Sequence, residues 1–167
     1  MMSASVYVAF PLMALLGVLQ TAVLPHFPIL GQVPVLPFLV ALAWGLLRGV
    51  NEGAVWAFMA GFWQDMFSIV PLGTHALVFL LAITAVLLIQ QLLPLSQFLL
   101  PALFATIATI LYLILHTMLL RLLGFSLTLN AVTSLLPIVI LHAIIILPIY
   151  WLMNQINRRV NPRRVEL

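Results

Sequence analysis

The side chains with chemical capacity are few: Glu52, Asp65, Arg121 and the histidines at 26, 75, 116 and 142. Asp65 follows Gly53, Ala57 and Gly61 at intervals of four, and in a helix that interval stacks all four residues on one face. The small residues on that face let a neighbouring helix come close, as helices associate in lipid. A carboxylate inside an apolar span costs about 2.5 to 3.5 kcal/mol to insert and is usually paired or functional. Within NEGAVWAFMAGFWQDMFSIVPLGTHA, Asp65 has three roles open to it. It can accept backbone amides around Gly73 and Thr74 and lock the SIVPLG turn; it can pair with Arg121 at the same depth; or it can handle a ligand or a proton. His75 is within reach of it across the turn.

Catalysis has little else to draw on. The chain has no cysteine, and without lysine a GxxxxGK phosphate loop cannot form. Glu52 and Asp65 fall on opposite membrane sides, so they make no catalytic carboxylate pair. No two histidines stand three or four residues apart, the spacing a helical metal site wants. His142, in the middle of an apolar run, reads as an interhelical hydrogen-bonding group. The sequence therefore predicts no enzyme, no cofactor and no metal.

The elements that must position these groups are membrane helices. Of 167 residues, 65% are hydrophobic and 5% charged, whereas soluble chains average about 25% charged residues. Mean hydropathy is +1.29, so the bilayer is the solvent. Six apolar spans are expected, at 6–24, 35–47, 54–67, 74–93, 99–123 and 131–153, the second and third short of the roughly 20 residues a crossing needs. RGVNEG reads as a tight polar connection. Together they form a single domain over 1–167, with a short basic tail at 154–167 and no cleavable signal peptide at the N-terminus.

All six basic residues are arginine and four of them lie in the last ten positions, which suits contact with anionic headgroups better than nucleic acid. Arg158, Arg159, Arg163 and Arg164 put both termini in the cytoplasm, and Arg48 then also falls inside, leaving Arg121 as the exception. Trp44, Trp56, Trp63 and Trp151 read as interface anchors, and Gln20, Gln64, Gln90, Gln91 and Asn130 as headgroup contacts. Gly61 is expected to tolerate a large side chain less well than Gly45.

The stretch from VPVLPFLVALAWGLLRGVNEG through GFWQDMFSIVPLGTHAL resembles the rod shape-determining protein MreD family. The resemblance rests on Pro34, Gly53, Gly61, Asp65, Ser68, Leu72 and Gly73, with the overall length, six spans and basic tail in agreement. It implies a non-enzymatic subunit of the bacterial elongation machinery in the inner membrane, beside MreC, MreB, RodA and a class B penicillin-binding protein. It also implies a six-helix bundle similar to the substrate-binding S components of energy-coupling-factor vitamin transporters. Two functions follow: a scaffold that binds MreC and helps organise peripheral peptidoglycan synthesis and cell shape, or a small-molecule binding subunit of a transporter. The candidate structural and partner-interface residues are Pro34, Gly53, Ala57, Gly61, Asp65, Ser68, Leu72, Gly73, His75 and Arg121, with membrane lipids as further partners.

Overall fold

A short helix at Leu36–Arg48 is the hub of the molecule: ten consecutive residues, Pro37 to Leu46, are buried. A computed structural model describes residues 4–29, 31–92, 100–125 and 135–160. Among these, six α-helices run in order as α1 (Ala4–Ala22), α2 (Leu36–Arg48), α3 (Val50–Met66), α4 (Thr74–Leu92), α5 (Leu100–Leu122) and α6 (Leu135–Val160), with one 3-10 turn at Leu24–His26. Asn130, Arg163, Arg164 and the expected start of the sixth span at 131–134 lie outside the described residues.

Helix α2 packs against each of the other five. A helix that is apolar all round belongs in an interior, and α2 (LPFLVALAWGLLR) has that composition. Phe38 fixes its first turn, with its ring 5.0 Å from Phe79 of α4, 5.3 Å from Tyr112 of α5 and 6.1 Å from His142 of α6. The surrounding helices have two chemically different faces. On α5, Pro101, Phe104, Ala105, Ala108, Thr109 and Tyr112 are buried at helical spacing, while Leu103, Ile110, Ile114 and Met118 point outward. Small and aromatic residues face in and long aliphatic residues face out, as a bilayer requires.

Helices α1, α4, α5 and α6 are long and apolar enough to cross a membrane. The other two have 13 residues in α2 and 17 in α3. A short helix leaves its terminal backbone groups at depth, where they must find protein partners. At the start of α2 the Val35 amide donates to His142 Nε2 (3.0 Å) and the Leu36 amide to Gln20 Oε1 (2.9 Å). Pro37 has no amide to satisfy. At the other end, Gln90 Nε2 donates to the Leu46 carbonyl at 3.2 Å. Gln20 and Gln90 are therefore helix caps rather than headgroup contacts, which corrects the sequence expectation.

Three further expectations change. The connection between α2 and α3 is the single residue Gly49, whose φ of +91° and ψ of −178° are a glycine conformation, so Asn51, Glu52 and Gly53 are already helical. Trp44 and Trp56 are not interface anchors. Both are buried, their rings stacked 4.6 Å apart, and Trp44 Nε1 donates to Glu52 Oε2. Glu52 Oε1 also takes Arg48 Nη2 at 2.8 Å, so these charges close the α2–α3 reversal. Finally, α6 continues to Val160, through the first half of the expected tail. No glycine or proline interrupts NQINRR, and arginines in a last helical turn complement the helix dipole.

Candidate functional site

At the far end of α3 the chain must turn into α4, and the residue preceding α4 is Gly73, which has no side chain with which to cap it. Its φ of +96° suits glycine. The missing cap comes from the preceding helix. Asp65 Oδ2 accepts the amides of Gly73 (2.9 Å) and Ala76 (3.0 Å), while Oδ1 accepts the His75 amide (2.8 Å). These are among the amides that a helix start leaves without an intrahelical partner. The fourth donor is the His75 ring, with Nδ1 at 2.8 Å from Oδ1. A carboxylate has about four lone-pair positions, and here four donors converge on them. The His75 proton therefore sits on Nδ1, facing the acid.

Helix geometry delivers Asp65 to this point. Gly53, Ala57, Gly61 and Asp65 are all buried, so the stripe of four faces the protein. At Gly61 the two helices nearly touch. A Cβ there would meet Ala76 Cα and would lie 2.5 Å from both the Ala76 nitrogen and the His75 carbonyl oxygen. Lower down, Gly53 faces Gly45 of α2, and Leu87 of α4 closes over both. Small residues thus bring α3 against α2 and α4 at successive levels.

The turn itself holds its shape locally. The Val70 amide donates to Ser68 Oγ, and Thr74 Oγ1 donates to the Pro71 carbonyl at 2.7 Å. Ile69 and Leu72 project outward from it. Pro34 is buried just before α2, far along the chain from this turn. Arg121 is exposed and makes no ion pair with Asp65, which overturns that alternative. The arginine lies in the last turn of α5, where its charge suits the helix terminus.

His116 joins the site from α5, its ring 4.8 Å from His75 and 5.6 Å from Tyr112. The sequence held no local signal for this, because the two histidines are 41 residues apart (116 − 75). Among the described residues, no group of three or more histidines and carboxylates gathers around a point that could hold a metal. The arrangement fixes a turn and a helix start, and its acid is fully engaged in doing so.

Deeper in the bundle, His142 makes a second tie. Thr109 Oγ1 donates to the Ala105 carbonyl at 2.6 Å, so the 3.0 Å contact between Thr109 Oγ1 and His142 Nδ1 is donated by the imidazole. Its Nε2 then accepts the Val35 amide. One neutral ring thereby joins α6, α5 and the start of α2.

No curated protein and no solved structure matches the chain. A family model does, that of the rod shape-determining protein MreD, over residues 1–160. With all but the last seven residues covered, and with the helical, lipid-facing architecture described above, the chain belongs to the MreD family of rod shape-determining membrane proteins.

Proposed function

We propose that this protein is a non-enzymatic subunit of the bacterial elongation complex, embedded in the inner membrane with both termini in the cytoplasm and binding MreC. Through MreC it helps organise peripheral peptidoglycan synthesis, alongside RodA, a class B penicillin-binding protein and MreB. All six helices cross the bilayer in this reading, α2 being short because protein rather than lipid surrounds it. In this reading the chain is a single domain over 1–167, built as a bundle of the S-component kind.

The observation that carries the reading is the engagement of Asp65. A carboxylate waiting for a ligand or proton keeps acceptor capacity free, whereas this one has four donors from its own chain. An acid used in this way serves architecture, and a rigid turn exposing Ile69 and Leu72 suits docking to another membrane protein. The transporter reading would need Asp65, His75 and Arg121 to face a shared pocket. Instead the first two satisfy each other and the third is exposed.

Co-purification from mild detergent tests the proposal. Recovery of MreC with the wild-type chain, reduced by changes at Ile69 and Leu72 that leave the protein folded, supports it. Recovery of an ATPase module in place of MreC would overturn it.

A further inference from the structure

The C-terminal third of α6 carries a feature that the scaffold role does not use. Trp151, Leu152, Gln155, Ile156 and Arg159 line a concavity of about 420 Å³ on the outside of the bundle. Their spacing, i, i+1, i+4, i+5 and i+8, places them on one face of the helix. Trp151 is 60% exposed, Leu152 51% and Ile156 37%, so the apolar part of the face is open.

Depth along α6 says what surrounds it. His142 of α6 touches Val35 at the start of α2, and both helices run the same way from that contact. Thirteen residues on, a rise of about 20 Å, α2 ends at Arg48 and α6 reaches Gln155. Arg159 lies one further turn out, which on the topology proposed above places it level with lipid headgroups. Trp151, two turns before it, sits where tryptophans favour the membrane boundary. From apolar to polar, the lining therefore runs in the direction that acyl chain, glycerol and headgroup run in a leaflet.

We propose that this face is a binding site for an anionic phospholipid. Its upper acyl segment lies against Trp151, Leu152 and Ile156, and its phosphate is held between the Gln155 amide and the Arg159 guanidinium. Charge selects an anionic headgroup: Arg158 and Arg159 close the helix, the chain carries a formal net charge of +3, and basic residues at the cytoplasmic end of a membrane helix attract such lipids. Arg158, although only about 20° round the helix from Trp151, does not line the concavity. The site therefore predicts unequal roles for two adjacent arginines, which a diffuse basic surface does not.

Purified full-length protein in phosphatidylcholine vesicles, with dibrominated phosphatidylglycerol added stepwise, reads the site through tryptophan fluorescence. Quenching is expected to saturate, to exceed that by dibrominated phosphatidylcholine, and to lose its saturable part in W151F. R159Q weakens the apparent affinity about fivefold, the effect of roughly one basic residue at a membrane surface, while R158Q changes it less than twofold. Equal losses in R158Q and R159Q would overturn the proposal in favour of nonspecific attraction. Equal quenching by the two lipids, or no quenching assignable to Trp151, would overturn it as well.

Discussion

Asp65 Oδ2 accepts the backbone amide of Gly73 at 2.9 Å, so a side chain at the end of α3 supplies what the residue before α4 lacks. A serine, aspartate or asparagine at position 73 could cap α4 from within its own helix, but the positive φ there favours glycine. Moving the capping group onto α3 couples two features that a local cap would leave independent. The α4 start is capped only when α3 is seated against it.

Asp65→Ala removes the acceptor for three amides and one ring N–H in a buried setting. Each buried donor left unpaired costs about 1 to 3 kcal/mol, with partial relief where water enters. A loss on the order of 3 kcal/mol is expected, seen as a marked fall in thermal midpoint in detergent and in membrane abundance. Asp65→Asn keeps one acceptor oxygen and should fall between. A variant with wild-type stability and wild-type MreC recovery would show that the cap has no structural role.

Gly61→Ala is expected to be more damaging than Gly45→Ala. At Gly61 the atoms a Cβ would strike are backbone, the Ala76 nitrogen and the His75 carbonyl oxygen at 2.5 Å, so α3 and α4 must part. At Gly45 the nearest obstacle is the end of the Leu87 side chain at 2.6 Å, with the Gly53 Cα at 3.1 Å, so part of the clash can be relieved by a rotamer. Overpacking costs about 1 to 3 kcal/mol, with Gly61 at the upper end and Gly45 at the lower. Side-by-side unfolding midpoints decide the order, and the leucine variants should widen the gap.

The small-residue stripe and the turn were legible because both are local. An interval of four is visible along one helix, and SIVPLG carries its own turn chemistry. The amides that Asp65 meets differ slightly from the expected pair: Gly73 is one, but His75 and Ala76 take the place of Thr74, whose amide bonds to Pro71. The central position of α2 was not legible. A helix surrounded by protein and a helix surrounded by lipid have the same apolar composition, so LPFLVALAWGLL reads equally well as either. The same ambiguity placed Trp44 and Trp56 at the interface when they stack in the interior. Gln20 and His142, 122 positions apart (142 − 20), cap the same helix start, and no spacing rule could pair them.

Gly49→Ala tests the one-residue reversal between α2 and α3. Its φ of +91° with ψ of −178° lies in a region that residues with a Cβ rarely enter, and holding one there costs about 1 to 3 kcal/mol. No atom lies within 4 Å of where the Cβ would be, so the cost is backbone strain alone. Gly49→Ala and Gly49→Val should therefore be destabilising although the site is open. Stability equal to wild type would mean that the helix ends rearrange freely around this residue.

The tie between His142 and Thr109 yields the last prediction. Both residues are fully buried, and the imidazole donates to the hydroxyl while accepting the Val35 amide on its other nitrogen. Thr109→Val keeps the shape but leaves the Nδ1–H without its acceptor, a loss of about 1 to 3 kcal/mol. His142→Phe preserves the stacking against Phe38 but abandons both the hydroxyl and the Val35 amide. In the double variant there is no ring N–H left for Thr109 to satisfy, so the two effects should not add. A double-mutant cycle on unfolding midpoints is expected to show a coupling of about 0.5 to 3 kcal/mol. Strict additivity would mean that the hydrogen bond does not hold α5 to α6.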